Sequence, residues 1–262
     1  MGRCCLDILQ SIMAERRRDV GAARESVPVE SLAAAVEART HHSLSAALAA
    51  DGTGIIAEMK KASPSAGLLR EQYEPADIAR MYARTGACGL SVLTEPRHFA
   101  GDEQHLRSAR CACDLPILRK DFMCDPYQVC EAAAWGADVV LLIVAALERG
   151  QLREMYDEAV RLGLDVLAEA HTGEEVETAL GLEGAIVGVN SRNLKTLKTD
   201  LAVARELAER VPGDRLSVAE SGIRTRDDVE ALERLGYNGF LVGESLMRAP
   251  DPGAALASLL GY

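Results

Sequence analysis

The sequence predicts an α/β protein, a (β/α)8 barrel of the TIM type with an N-terminal helical extension. Short apolar runs alternate with longer amphipathic stretches, and this pairing occurs eight times from residue 54 onward. A length of 262 residues suits one barrel of this kind. A doubly wound open sheet is the alternative, but it normally has a G-x-G-x-x-G turn after its first strand, and none follows here.

Residues 1–50 precede the first predicted strand and indicate two or three helices that pack on the barrel. We therefore expect one domain over residues 1–262, with the barrel at 51–262. In the extension, Leu6, Leu9 and Met13 share one helical face with Ile12 beside it. The arginines at 16–18 are interpreted as a solvated face.

Eight apolar runs predict the barrel strands. They are apolar on both faces, as is typical of parallel strands that are covered on both sides. In chain order the runs are GIIAEM (54–59), CGLSVLT (88–94), LPILRKD (115–121), ADVVLLIVAAL (137–147), LDVLAEA (164–170), GAIVGVN (184–190), RLSVAES (215–221) and NGFLVGE (238–244).

Helix start and stop signals mark the stretches between the strands. Asp or Thr before a periodic segment predicts an N-terminal cap, and a glycine after it predicts the end of the helix. Three stretches show these signals clearly: PADIARMYARTGA up to Gly86, DPYQVCEAAAWGA up to Gly136, and TRDDVEALERLGYN up to Gly236.

The composition argues against two classes of binding partner, nucleic acids and membranes. The formal net charge is −11, from 40 acidic and 29 basic residues, so nucleic acid is not an expected partner. No apolar stretch has the length of a membrane span or of a signal-peptide core, so no membrane partner is expected. The seven cysteines form no C-x-x-C pair, which favours reduced thiols and a cytoplasmic location.

Polar residues follow the apolar runs, at the C-terminal ends of the predicted strands. In a parallel barrel these ends share one rim, where barrel active sites are built. The residues are Glu58 and Lys60 in the first run, Arg119, Lys120 and Asp121 in the third, Glu169 in the fifth, Asn190 and then Arg192 after the sixth, Glu220 and Ser221 in the seventh, and Gly243, Glu244 and Ser245 in the eighth.

Strand alternation predicts which of these side chains meet. Glu58 and Lys60 are two residues apart and share one side, and Lys120 shares a side with Leu118. Charges buried together are costly unless they are paired, and burial shifts pKa values toward neutrality. Structural ion pairs are one interpretation. The other, which we favour, is acid–base chemistry by a desolvated lysine with a lowered pKa.

Two glycine-containing turns predict a phosphate site. Gly222 and Gly243 follow the seventh and eighth strands, where backbone N–H groups can approach a ligand closely. Ser63 and Ser65 can add hydroxyl donors, although ordinary βα turns would look similar. The five histidines show no metal-ligand spacing, and no cofactor fingerprint is present. We therefore expect proton transfer on a phosphorylated small molecule, with no metal and no cofactor.

Several long motifs resemble the indole-3-glycerol phosphate synthase family. The resemblance extends from about residue 54 to 248, and the stretch LDILQSIMAERRRDV in the extension resembles the family too. In order, the motifs are AEMKKASPSAG, LPILRKDFMCDPYQV, LAEAHTGEE, VGVNSRNLKTL, VAESGI and FLVGESLMR. One departure is Ala66, where many members of the family have Lys or Arg.

The resemblance implies a reaction. The substrate would be 1-(2-carboxyphenylamino)-1-deoxyribulose 5-phosphate, and ring closure would release CO2 and water without a metal or organic cofactor. Lys120 would be the general acid of ring closure, and Lys60 would bind the substrate carboxylate and serve the later dehydration. The remaining polar site would comprise Glu58, Glu169 as acid–base partner, Asn190, Glu220 and Ser221.

The resemblance also implies binding residues. The phosphate contacts would be Ser63, Gly222, Gly243 and Ser245, with Arg192 as a further substrate-binding residue. Phe122 and Leu241 would line the pocket for the aromatic ring. Association with other enzymes of the tryptophan pathway stays open.

Two other functions compete with this one. A phosphoribosylanthranilate isomerase would use a cysteine and an aspartate, whereas the first strand here ends in Glu58 and Lys60. A catalytically silent binding barrel would be expected to lose some acid–base groups, whereas all the matching positions are filled.

Overall fold

A computed structural model describes residues 8–37, 40–194 and 196–262. Leu6 of the predicted N-terminal helix lies outside these residues. Across the three described ranges, every helix is too short or too polar to cross a membrane.

Eight parallel strands close into a barrel, so the predicted fold is confirmed. Each strand pairs with its neighbours in chain order, and β1 also pairs with β8, for example Ile56 with Leu241. The strands are β1 (Gly54–Met59), β2 (Gly89–Leu93), β3 (Ile117–Lys120), β4 (Val139–Ile143), β5 (Asp165–Ala170), β6 (Ile186–Asn190), β7 (Ser217–Glu220) and β8 (Gly239–Val242).

Helices surround the barrel and connect its strands. A short hairpin of Ala62–Ser63 with Gly67–Leu68 follows β1, and 3-10 turns lie at Val144–Ala146 and Ala208–Arg210. The helices are α1 (Ile8–Ser26), α2 (Val29–Glu37), α3 (Leu44–Ala49), α4 (Pro75–Thr85), α5 (Pro96–Phe99), α6 (Glu103–Ala112), α7 (Pro126–Trp135), α8 (Arg149–Arg161), α9 (Gly173–Leu180), α10 (Ala202–Leu207), α11 (Arg226–Glu233), α12 (Glu244–Arg248) and α13 (Pro252–Leu260).

The predicted helix ends are confirmed for α4 and α7. Gly86 and Gly136 follow these helices with φ of 105° and 95°, a left-handed conformation that glycine adopts without steric cost. At the start of α11, Thr225 forms a capping box, as the sequence indicates. The predicted end of α11 at Gly236 is wrong, because the helix stops at Glu233 and a turn follows before the glycine.

The barrel interior is apolar below the rim. Its buried side chains come from alternate residues of the strands, such as Ile56, Leu118 and Leu167. At the N-terminal end of the strands, Leu44 and Leu48 of α3 pack into the same cluster. Among the described residues, the interior is therefore filled by apolar side chains toward the N-terminal end of the strands, which leaves the C-terminal rim for a ligand.

The N-terminal helix α1 packs on α7. It buries Leu9, Met13 and Val20 there, together with Tyr127 of α7. The arginines do not all face solvent as predicted: Arg17 and Arg18 are exposed, but Arg16 is buried and its guanidinium donates to Asp121 at 2.9 Å. The division of the chain into domains stays a prediction.

Candidate active site

A cavity of about 520 Å³ opens at the C-terminal ends of the barrel strands. The sequence-predicted site residues line it, with Ser63 as the exception. They are Glu58, Lys60, Lys120, Phe122, Glu169, Asn190, Arg192, Glu220, Ser221, Gly222, Leu241, Gly243 and Ser245.

Ser63 lines a small adjoining cavity of about 80 Å³ beneath α1, which shares Lys60, Phe122 and Arg192 with the main cavity. Its hydroxyl is 3.4 Å from that of Ser65, and Ser65 in turn accepts a hydrogen bond from Arg192 at 3.2 Å. The hairpin after β1 places these serines beneath α1 at the edge of the main cavity, and the role of Ser63 as a phosphate contact stays a prediction.

Four charged side chains at the base of the cavity come from the odd-numbered strands. The inward residues of a barrel form layers, and alternate strands contribute to one layer, which explains why Glu58, Lys120, Glu169 and Glu220 meet. The Lys120 ammonium donates to Glu169 at 2.5 Å and to Glu220 at 3.0 Å. Lys60, at the end of β1, donates to Glu58 at 2.5 Å. The three carboxylates are buried, with at most 5% exposure.

The predicted lowering of the Lys120 pKa is wrong. Burial removes water from the ammonium and lowers its pKa, but the carboxylates of Glu169, Glu220 and Glu58 outweigh this and raise the pKa above its ordinary value. Lys120 is therefore a firmly held ammonium group, so it can protonate only an oxygen that becomes strongly basic during a reaction.

The two carboxylates beside Lys120 differ in their affinity for a proton. Burial raises the pKa of Glu220 to about 8, because the attraction of Lys120 does not fully offset desolvation and the nearby Glu169 charge. Burial also disfavours ionised Glu169, but Lys120 and His171 outweigh it and hold its pKa well below the usual range. Of the two carboxylates, Glu220 therefore holds a proton more readily than Glu169.

A buried ion network fixes the end of β3. The Arg119 side chain points away from the cavity, donates to Asp121 and Glu131, and lies 3.9 Å from the Trp135 ring centre. Asp121 also accepts from Arg16 of α1. With Arg119 held on the outer side, alternation directs Lys120 into the cavity.

One wall of the cavity is apolar. Phe122 and Leu241 were predicted there, and Phe99 of α5 joins them with its ring 5.9 Å from that of Phe122. The sequence analysis missed Phe99, although Glu95 and a following proline signal the short helix that carries it. The other apolar residues of this wall are Leu93, Leu141 and Ile143.

The opposite wall is suited to an anion. Ser221 and Gly222 after β7 have φ of 66° and 88°, so the chain turns sharply there and its backbone borders the cavity. Arg192 lies alongside, and Arg224, which the sequence analysis missed, also lines this wall. The Ser245 hydroxyl donates to the Ile223 carbonyl at 3.3 Å. In the described part of the chain, no group of three His, Cys, Asp or Glu residues is placed to hold a metal ion.

Comparisons with known proteins agree with this architecture. A family model described as indole-3-glycerol phosphate synthase matches residues 9–259. The indole-3-glycerol phosphate synthase of Burkholderia vietnamiensis (strain G4 / LMG 22486) is 49% identical over 257 residues, which cover 97% of this chain and 98% of the relative.

Two solved structures are similar in fold alone. A thiamine phosphate pyrophosphorylase from Pyrococcus furiosus has a TM-score of 0.61 at 18% identity, over 83% of this chain and 96% of that one. The N-acetylmannosamine-6-phosphate 2-epimerase from Clostridium perfringens has a TM-score of 0.61 at 15% identity, over 79% and 92%. The family model and the 49% identical relative both span nearly the whole chain, and the chain belongs to the indole-3-glycerol phosphate synthase family.

Proposed function

We propose that the protein is a carbon–carbon lyase of tryptophan biosynthesis that converts 1-(2-carboxyphenylamino)-1-deoxyribulose 5-phosphate to indole-3-glycerol phosphate, CO2 and water. The observation that supports this most strongly is the Lys120 ammonium, which contacts buried Glu169 and Glu220. This cluster lies between the apolar wall of the cavity and the wall suited to an anion. Membership of the family supports the same reaction. We further propose a cytoplasmic location, with no nucleic acid or membrane partner.

The two walls suit the two ends of this substrate. The aromatic ring would pack against Phe99, Phe122 and Leu241, and the phosphate would lie near Arg192 and the backbone at Gly222. Its ketone would then lie over the base of the cavity. The remaining phosphate contacts would be Ser245, Gly243 and Ser221, and the substrate carboxylate would face Lys60.

Ring closure forms the carbon–carbon bond. The aromatic carbon that carries the carboxylate attacks the ketone carbon, and Lys120 gives a proton to the oxygen as it becomes an alkoxide. A developing alkoxide is basic enough to take a proton from an ammonium of raised pKa. Glu220, protonated and 3.0 Å from the Lys120 ammonium, can then return a proton to the lysine. Loss of CO2 restores the aromatic ring.

Dehydration completes the indole. The hydroxyl formed from the ketone leaves as water after it takes a proton from Lys60, and the neighbouring CH2 loses a proton to ionised Glu169. The electron pair of that C–H bond forms the new ring double bond. Glu58, in contact with Lys60 at 2.5 Å, holds the second acid in place, and the amide of Asn190 borders the same space.

The competing functions fit the cavity less well. An isomerase of the cysteine–aspartate type would need a thiol in the cavity, and among the described residues no cysteine lines it. A silent binding barrel has no use for a protonated Glu220 beside an ionised Glu169, both buried at cost.

Fluorescence of the indole product tests the proposed function. Synthetic substrate mixed with the purified protein should give indole fluorescence, and inorganic phosphate should inhibit competitively because it occupies the wall near Arg192 and Gly222. Substrate binding without product would favour the silent barrel, and a substrate that neither binds nor reacts would reject the assignment.

Gly243→Ala should lower kcat/KM by about 10- to 100-fold, because a Cβ at Gly243 would collide with the carboxylate of Glu58 and displace it from Lys60. An aspartate at this position, Gly243→Asp, would repel the phosphate, but it would also collide with Glu58. Its effect on substrate binding would therefore combine the two causes. The matched control is Gly150→Ala, since a Cβ there meets no atom within 4 Å. If folded Gly243→Ala kept the wild-type kcat/KM, the position of Glu58 would not depend on the absence of a side chain at residue 243.

A further inference from the structure

The two carboxylates that Lys120 bridges have unequal surroundings. A Glu169 oxygen lies 3.4 Å from Nε2 of His171, so this carboxylate faces two nitrogen groups. Glu220 meets Lys120 through one oxygen, and its other oxygen, Oε1, accepts no hydrogen bond from the described residues. His171 is therefore the feature that distinguishes the two carboxylates.

The His171 ring is held in one orientation by α9. Glu175 accepts a hydrogen bond from the His171 backbone N–H at 2.7 Å and lies 3.3 Å from ring Nδ1. Thr172 caps the helix and fixes the turn between the two residues. With Nδ1 beside Glu175, Nε2 lies 3.4 Å from a Glu169 oxygen, an ion-pair contact without the alignment of a hydrogen bond.

Glu169 and Glu175 together favour the charged form of the His171 ring. Burial alone lowers the pKa of His171, but Glu169 and Glu175 outweigh it and raise the pKa to about 9. Sequence reasoning set this histidine aside because it lacks metal-ligand spacing. Its position two residues after Glu169 would have placed it on the same side of the chain.

We propose that His171 is a positioning residue of the reaction, whose charged ring holds Glu169 ionised and thereby leaves the shared proton on Glu220. The inference rests on the proposed function, in which Glu169 takes a proton. Without this cation, Glu169 and Glu220 would compete for Lys120 on similar terms, and Glu169 would spend part of its time protonated.

The other charged groups around this cluster do not replace the histidine. On the barrel side they are Lys120 of β3, which contacts both carboxylates, Glu220 itself, and Glu58 of β1, which acts on Lys120. Arg149 and Glu174 line a surface groove together with Glu175, and His171 is not part of that groove.

The test is the pH profile of turnover in His171→Gln, which keeps a hydrogen-bond donor and removes the charge. The acid limb of kcat should move up by about one pH unit, so that kcat is about tenfold below wild type on the limb itself and stays within about twofold at pH 8. KM should change less than about threefold. His105→Asn is the control, because that ring packs against Tyr73 and does not line the cavity.

An equal loss of kcat at every pH, an unshifted profile or a change confined to KM would each overturn the inference. NMR titration of His171 in the wild type gives a reading that does not depend on turnover. Its midpoint should lie near 9 and fall in Glu175→Gln, and a wild-type midpoint near 6.5 would contradict the charged ring. Absence of product from the wild type would instead count against the proposed function.

Discussion

Lys120→Met should lower the single-turnover rate by about 10²–10⁴-fold, the usual contribution of a general acid. Methionine keeps most of the apolar stem and removes the ammonium that contacts Glu169 and Glu220. Substrate affinity should change much less, because the phosphate and carboxylate of the substrate are held elsewhere. Lys120→Arg should not restore the rate, since a planar guanidinium does not fit the position of the ammonium between Glu169 and Glu220.

Two measurements separate the effect of Lys120→Met on rate from its effect on affinity. Product formation in a single turnover at saturating substrate gives the rate, and equilibrium titration gives the affinity. Lys61→Met is the matched control: it removes the same charge next to the site, from a residue that does not line the cavity. A Lys120→Met variant that lost affinity but kept its single-turnover rate would make Lys120 a binding residue. The role of the acid would then pass to Lys60.

Asp121→Ala should lower the free energy of unfolding by about 3–5 kcal/mol, the usual effect of breaking a buried ion pair. Asp121 is buried and accepts hydrogen bonds from Arg16 at 2.9 Å, Arg119 at 3.1 Å and Thr94 at 2.6 Å. Its loss leaves the Arg16 and Arg119 charges buried without their shared partner. Urea unfolding measures the change.

Asp77→Ala is the matched control for Asp121→Ala. Its carboxylate is 72% exposed and contacts only Arg80 of the same helix among the ion pairs of the described chain, so its removal should change stability by less than about 1 kcal/mol. A similar small loss in Asp121→Ala would mean that the network does not anchor α1 and β3.

The Asp121 contribution should also depend on pH. Burial raises the pKa of this carboxyl, but Arg16, Arg119 and the hydroxyl of Thr94 outweigh burial and lower it. A lowered folded pKa means that the stabilisation is present above the ordinary unfolded value of about 4 and is lost as pH falls through the folded value.

The barrel could be predicted from the sequence because its signals are local. Each strand is a short apolar run, and the polar residues after these runs must share one rim once the strands are parallel. Alternation predicted that Lys120 shares a side with Leu118, and the structure confirms this: both face the barrel interior, and Arg119 takes the other side.

The remaining features depend on contacts between distant segments. Arg16 is buried because Asp121 lies opposite, a partner 105 residues away. The Lys120 pKa rises because three carboxylates from other strands converge on it, and no local pattern gives the balance between desolvation and attraction.

We propose that Lys120, Glu169 and Glu220, with Lys60 as the acid of dehydration, carry out ring closure, decarboxylation and dehydration with no cofactor. The most direct measurement is a single turnover of substrate labelled with 13C in its carboxylate, using chelator-dialysed protein without additions. We predict one equivalent each of labelled CO2 and fluorescent indole product, formed at matching rates. Indole product without labelled CO2, or no product until a metal or cofactor is added, would contradict the account.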